Sequence, residues 1–175
     1  LAFLRREPVM EKPQSMNELT HYQYFPSPVG RLRLVSNGAA LMRIEFENQQ
    51  GTDGDEQADL VLQQTAQQLG EYFVNKRRTF ELPLAAQGTE FQQQVWAALR
   101  AIPFGELRSY RDIAAVVGNV KAVRAVGAAN GRNPIPIVVP CHRVIGSNGK
   151  LTGFAGGLEA KQTLLELEGI QLTLC

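Results

Sequence analysis

From Tyr22 onward the chain breaks into short runs with a strand-like pattern of apolar and polar positions: Tyr22–Phe25, Gly30–Ser36 and Ala39–Glu47. They are punctuated by Pro26–Ser27–Pro28 and by Asn37–Gly38. A two-residue period sends alternate side chains to opposite faces of a strand, and Asn-Gly between apolar runs is the strongest short signal for a hairpin. Gln49–Asp55 is polar and reads as a loop. The period then changes. Leu60, Val61, Ala66, Leu69, Tyr72 and Phe73 recur at helical spacing across Ala58–Val74, and Thr79–Leu84 returns to a strand-like run. Residues 20–85 are therefore expected to form a small antiparallel sheet covered by one helix.

The rest of the chain is more helical. Thr89–Glu90–Phe91–Gln92 fits a capping box and opens a helix through about Ala101, closed by Pro103 and Gly105. Ser109, followed three places later by Asp112, caps a second short helix that ends at Gly118. After the Gly118–Asn119 turn, Val120–Asn130 reads as a third helix lined by Ala122, Ala125, Gly127, Ala128 and Ala129. Two short helices joined by a glycine-containing turn form a helix-turn-helix. The small residues fit close packing against another helix, and they equally fit entry into a narrow groove with Arg124 projecting. Residues 1–20 are polar, contain Pro8 and Pro13, and are expected to form a loosely ordered arm. The fold class is α+β, with an N-terminal α/β domain over 21–86 and a C-terminal helix-turn-helix domain over 87–175.

Composition supports a folded chain: among 175 residues 44% are hydrophobic and 20% charged, unlike the charge-rich, apolar-poor profile of disorder. No apolar run approaches the roughly 20 residues of a membrane-spanning helix, and Leu1–Ala2–Phe3–Leu4 runs into Arg5–Arg6–Glu7 rather than a signal-peptide core. A soluble, cytoplasmic protein without a membrane partner is expected. Cys141 and Cys175 cannot build a disulfide framework. With only His21 and His142 as imidazoles, and no CxxC or HxxxH spacing, no metal site is expected. The net charge of +1 hides an asymmetry. Residues 100–161 carry nine basic side chains (Arg100, Arg108, Arg111, Lys121, Arg124, Arg132, Arg143, Lys150, Lys161) against three acidic ones, a balance of +6, and the remainder sums to −5. A locally basic stretch suits a phosphate backbone and equally suits a solvated face.

Asn133–Pro134–Ile135–Pro136–Ile137–Val138–Val139–Pro140 leads into Cys141. The X–Pro steps exclude helix and the apolar run implies burial, so Cys141 is expected on a buried, extended segment. A buried cysteine is by default a small inert hydrophobe. His142 beside it, and Glu168 on the last helix before Gly169, change that reading. Neighbours on an extended segment point to opposite faces, so a bridging water rather than a direct thiol–imidazole bond would connect Cys141 to His142. Glu168 would hold the far imidazole nitrogen, as in a triad, and the relay would raise the thiolate fraction of a thiol whose free pKa is about 8.5.

Pro140–Cys141–His142–Arg143, with Asn133–Pro134 upstream, the spacing of Tyr110 and Arg124, and Gly153–Phe154–Ala155–Gly156–Gly157–Leu158 downstream, resembles the O6-alkylguanine-DNA alkyltransferases, close to the bacterial constitutive type. The resemblance begins near Tyr22 and runs without apparent gaps from Thr89 to Gly169. It implies a ribonuclease H-like N-terminal domain and a partner, double-stranded DNA carrying O6-alkylguanine, bound through the minor groove. It implies that Cys141 takes the alkyl group irreversibly, once per molecule, and that O4 of thymine is a further candidate substrate. His142 would deprotonate Cys141 through water, Glu168 would orient His142, and Asn133 would brace the turn. Tyr110 would help protonate the leaving purine. The carbonyls of Cys141 and Val144 would accept from the guanine amino group and the amide of Ala155 would face O6, in a pocket shared with Pro136, Phe154 and Gly156. Arg124 would fill the gap left by the flipped nucleotide, and Lys121, Ala125 and Arg132 would also face DNA. Flipping has a geometric reason besides: a buried thiol cannot reach O6 inside a stacked duplex.

The resemblance implies no cofactor, and a monomer is expected. Some relatives carry tyrosine and serine where this chain has Phe154 and Ala155, so those hydroxyls are absent here. The cysteines and histidines of an N-terminal zinc site, and the cysteine cluster of a methylphosphotriester-sensing domain, are also missing. Two other classes compete. A non-catalytic sensor of alkylated DNA would lack the nucleophile, and a cysteine hydrolase would need its base on a separate element together with an oxyanion hole.

Overall fold

A meander of β1 (His21–Ser27), β2 (Gly30–Ser36) and β3 (Leu41–Glu45) forms the N-terminal sheet. The short β4 (Asp55–Glu56), read from the sequence as loop, joins it parallel to β1, giving the order β3-β2-β1-β4. The computed structural model describes residues 19–172, so the expected arm over 1–20 lies almost wholly outside the described residues, as does Cys175. Pro26, expected to end the first strand, instead lies within it opposite Arg31. Its missing N–H costs no ladder bond on the outer side, because β4 pairs with β1 only at His21 and Tyr22. Asn37–Gly38 does mark the β2–β3 hairpin, but through a wider loop. Asn37 Oδ1 accepts from the amides of Ala39 and Ala40 (2.9 and 2.8 Å), and β3 starts only at Leu41. It also ends early, at Glu45, before a 3-10 turn over Glu47–Gln49.

The Thr79–Leu84 run is not a strand. It meets the sheet at one bridge, Leu84 to Leu41, with Leu41 N donating to Pro83 O and Ala85 N to Leu41 O. Pro83 has no N–H with which to extend a ladder. Helix α1 (Leu60–Phe73) is capped by Asp59, whose side chain accepts from Leu62 N at 2.9 Å. It buries Val61, Leu62, Leu69 and Tyr72, whereas Leu60, at its first turn, faces solvent.

Helix α2 (Glu90–Arg100) opens with the complete Thr89–Gln92 capping box, and α3 (Tyr110–Val116) with a Ser109–Asp112 box, both as expected. Helix α4 begins at Val123 rather than Val120 and runs to Gly131, because Val120–Ala122 belongs to the turn that follows Gly118 at φ +80°. Trp96 Nε1 donates to Ala129 O at 2.9 Å, tying α2 to α4. Strand β5 (Arg108–Ser109) pairs in parallel with β6 (Val144–Ile145), and α5 (Leu158–Leu167) closes the described fold. One apolar cluster runs from Leu32 and Leu34 in the sheet through Tyr72 to Leu99, Val126 and Leu164. Both parts of the chain therefore share a core, and the C-terminal groups below are held against the N-terminal helix. Among the described residues no helix is long and apolar enough to cross a membrane.

Candidate active site

Residues 133–140 form a clamped turn. Asn133 Nδ2 donates to Val139 O (2.8 Å) and its Oδ1 accepts from Ile135 N (3.0 Å), so one buried side chain closes the loop from both ends. Inside it Ile137, fully buried, takes φ +74°. That backbone conformation is costly for a β-branched residue and persists only where its surroundings impose it. Here the prolines at 134, 136 and 140 and the Asn133 clamp do so.

Beyond Pro140 the chain is not extended, contrary to expectation: Cys141–Arg143 is a single 3-10 turn, with Arg143 N bonded to Pro140 O and Val144 N to Cys141 O. Three residues per turn set neighbouring side chains about 120° apart, so Cys141 and His142 still diverge. The lack of a direct thiol–imidazole bond thus has a different geometric cause from the one the sequence suggested. Burial pushes the Cys141 thiol up to about 11, against the pull of the Asn133 side chain, the Lys161 ammonium and nearby backbone amides. Burial thus works against the enlarged thiolate fraction expected from the sequence.

Glu168, the C-cap of α5, gathers the site. Its Oε2 accepts from His142 Nε2 (2.5 Å), the Tyr72 hydroxyl (2.6 Å) and Arg143 Nη2 (3.2 Å), and its Oε1 from Arg143 Nε (2.7 Å) and Gly105 N (3.0 Å). Burial alone would raise this carboxyl, but the His142, Arg143 and Tyr72 donors outweigh it and hold it at about 2. An ionised carboxylate only accepts, so His142 Nε2 carries the hydrogen and its lone pair lies on Nδ1. That atom is buried and has no hydrogen-bond partner among the described residues. Burial lowers the His142 pKa despite the opposing pull of Glu168, which keeps the imidazole neutral and able to accept a proton.

The pattern did not single out Tyr72, the role of Arg143, or Lys161. Lys161 is fully buried, donating to Val144 O at 2.7 Å, and desolvation lowers it to about 8. Its signal was present: a lysine three residues before Leu164 and four before Leu165 falls on the apolar face of α5. Val144 O, assigned to the guanine amino group by the resemblance, keeps one lone pair beyond the Lys161 bond.

Tyr110 opens α3, half-buried, its hydroxyl 2.8 Å from Thr152 Oγ1, and desolvation raises its pKa. The 146–157 loop that carries Thr152 is pinned from the N-terminal side. Phe154 packs edge-on against Phe46 (5.5 Å between centroids), and Asn48 Nδ2 donates to Ala155 O at 3.1 Å. A Cβ on Gly156 would come within 2.9 Å of the Phe46 ring, so glycine is required there. Pro136 is buried in the clamped turn, bridged to Val139.

On α4 the two readings of the small residues divide by face. Val126 and Ala129 pack inward, while Arg124, Ala125 and Ala128 are exposed, with Lys121 before the helix and Arg132 at its C-cap also exposed. The basic stretch divides too. Arg143 and Lys161 are buried in the site, leaving Arg100, Arg108, Arg111, Lys121, Arg124, Arg132 and Lys150 exposed or partly exposed.

Two family models match the chain: the ribonuclease-like domain of 6-O-methylguanine DNA methyltransferase over residues 20–86, and the DNA-binding domain of the same enzyme over residues 90–170. A methylated-DNA–protein-cysteine methyltransferase of Methanosarcina acetivorans is 46% identical over 153 residues, covering 85% of this chain and 98% of its own. The constitutive enzyme of Bacillus subtilis is 47% identical over 160 residues, 87% of this chain and 97% of its own. Among solved structures, the Mycobacterium tuberculosis O6-methylguanine methyltransferase superposes with a TM-score of 0.79 at 44% identity, over 85% of this chain and 92% of that one. The M. tuberculosis protein solved in complex with DNA gives 0.80 at 46% identity, with the same coverage. On this identity, coverage and shared fold, the chain belongs to the 6-O-methylguanine DNA methyltransferase family.

Proposed function

We propose that Cys141 is the residue on which this DNA-repair methyltransferase ends its reaction, taking a methyl or larger alkyl group from O6 of guanine in double-stranded DNA. His142, through a water, takes the proton from Cys141. The sulfur attacks the alkyl carbon in line, the S–C bond forms and the C–O6 bond breaks. The electron pair left on the purine is neutralised by a proton delivered at Tyr110. Glu168 holds His142 in the tautomer that leaves Nδ1 free to accept, and Asn133 shapes the turn and stabilises the thiolate. The thioether is stable, so each molecule reacts once. The observation that carries this reading is His142, next to Cys141 in the chain, its Nε2 held by Glu168 at 2.5 Å and its buried Nδ1 without a hydrogen-bond partner among the described residues.

The exposed face of α4, with Arg124, Ala125, Lys121 and Arg132, meets the minor groove. Arg124 occupies the space of the extruded nucleotide, and Pro136, Val144, Phe154, Ala155 and Gly156 line the pocket that receives the base. The protein acts as a monomer, in the cytoplasm, without a cofactor, and divides near residue 86 into an N-terminal domain and the domain that binds DNA and holds Cys141. O4-alkylthymine is a secondary substrate on the same chemistry. The test is intact mass after incubation with a duplex carrying one O6-methylguanine, followed by peptide mapping. One methyl on Cys141, capped at one per protein, is expected. Lesion-selective binding without mass change would mark a sensor instead, and continued turnover a hydrolase.

Arg124→Ala is expected to slow transfer from duplex DNA by about 10-fold or more, because the unstacking cost of a few kcal/mol is no longer offset by an inserted side chain. Reaction with the free alkylated base should stay within about twofold of wild type, since no base need be extruded. Single-turnover rates on the two substrates decide it: equal losses on both would remove Arg124 from the flipping step.

A further inference from the structure

Three elements converge on Glu168. The 3-10 turn supplies His142 and Arg143, the turn after α2 supplies the Gly105 amide, and α1, from the N-terminal part, supplies the Tyr72 hydroxyl at 2.6 Å. The first two lie close to Cys141 along the chain or in the same domain. Tyr72 lies 96 residues from Glu168 and belongs to the segment that holds none of the groups assigned to the chemistry. We infer that Tyr72 is a positioning residue for methyl transfer: its hydroxyl fixes the Glu168 oxygen used by His142 and tempers how strongly His142 draws a proton. This inference rests on the roles proposed above for His142 and Glu168.

A buried tyrosine hydroxyl needs some partner, and most find a carbonyl or water. Tyr72 instead donates to Oε2, the same atom that receives His142 Nε2. Each donor on a carboxylate oxygen draws charge from it, so the hydroxyl and the imidazole compete for one acceptor. The ring has little freedom to leave. It is fully buried and packs against Phe73 (5.2 Å), Phe80 (5.5 Å) and Phe104 (6.2 Å), and Phe104 precedes the Gly105 amide that binds the other Glu168 oxygen. Burial and the neighbouring Glu168 charge raise the Tyr72 pKa, so it remains a donor throughout the working range. The charged and titratable groups facing the pair are His142 and Arg143 from the 3-10 turn, Glu168 at the end of α5, and Lys161 and Cys141 acting on or beside His142. The Arg78 guanidinium lies over the Phe104 ring, 5.1 Å from its centroid.

Tyr72→Phe keeps the ring and removes the donor. Glu168 then concentrates its charge on His142, and the acid-side midpoint of the transfer rate should move up by about 0.5–1 pH unit. Rates below that midpoint fall about 3–10-fold, while the plateau above it stays within twofold. A purely structural loss would lower the whole profile evenly. Replacing Tyr72 with 3-fluorotyrosine retains the contacts, strengthens the donor and should move the midpoint down. The His142 ring nitrogen shifts, followed by NMR against pH in the full chain without DNA, should move in the same directions. If His142 titrates alike in wild type and both variants, the inference is overturned. If Cys141 of the wild type acquires no methyl, the proposed function falls, and the His142 titration still decides the role of Tyr72.

Discussion

Cys141→Ala is expected to abolish methyl transfer outright while leaving affinity for duplex DNA within about twofold. The surface groups proposed to meet DNA lie on α4, at Arg124, Ala125 and Arg132, whereas Cys141 is 4% exposed and contributes nothing to that face. Removing one buried sulfur leaves a small cavity that costs about 1 kcal/mol, too little to unfold a domain of ordinary stability. Cys141 is the one cysteine among the described residues, so no second thiol there stands ready to accept the group. The loss of transfer is therefore total rather than partial, unlike the loss of a base or an orienting residue, which leaves the nucleophile in place. Binding is read by fluorescence anisotropy and transfer by intact mass. A methyl adduct appearing on any other residue at a comparable rate would defeat the assignment.

Much of this fold was legible wherever local chemistry decides. Both capping boxes, Thr89–Gln92 and Ser109–Asp112, form as written, because the donors and acceptors lie within four residues. Failures came where a long-range partner or a proline rules. Thr79–Leu84 has a strand's pattern but Pro83 lacks the N–H a ladder needs, and Cys141 leaves Pro140 as a 3-10 turn that no periodicity marks. In the site, Cys141, His142, Glu168 and Asn133 were readable from the motif and from triad logic. Tyr72 is, by sequence, one of several apolar-face positions on α1, and nothing local distinguishes it from Leu69. Its hydroxyl acquires meaning only when the fold brings Glu168 to it. The role of Arg143, though the residue stands in the motif, is nonlocal for the same reason, since its ion pair with Glu168 spans 25 residues.

The second large effect is expected from Glu168→Gln, which keeps the shape and removes the charge. Arg143 then sits 5% exposed without its carboxylate, and breaking one side of a buried ion pair costs about 3–5 kcal/mol. For a chain of this length that corresponds to a fall in Tm of roughly 6–20 °C. Transfer should drop on the order of 10²–10⁴-fold, because a neutral amide neither selects the His142 tautomer nor stabilises the imidazolium formed when it takes the proton from Cys141. Acid provides an independent check. The Glu168 carboxyl is lowered from 4.5 to about 2 in the folded chain, so its contribution is complete above about pH 4.5 and disappears as pH falls through 2. The stability gap between wild type and Glu168→Gln, measured by urea unfolding, should therefore be widest above about pH 5 and narrow steadily below it. His142, held neutral by burial, also costs stability as pH drops below its ordinary 6.5, but it does so in wild type and variant alike while the folded imidazole stays neutral, and so cancels from the gap. A gap independent of pH would mean that Glu168 holds the fold through shape alone, and that its charge is not what fixes His142.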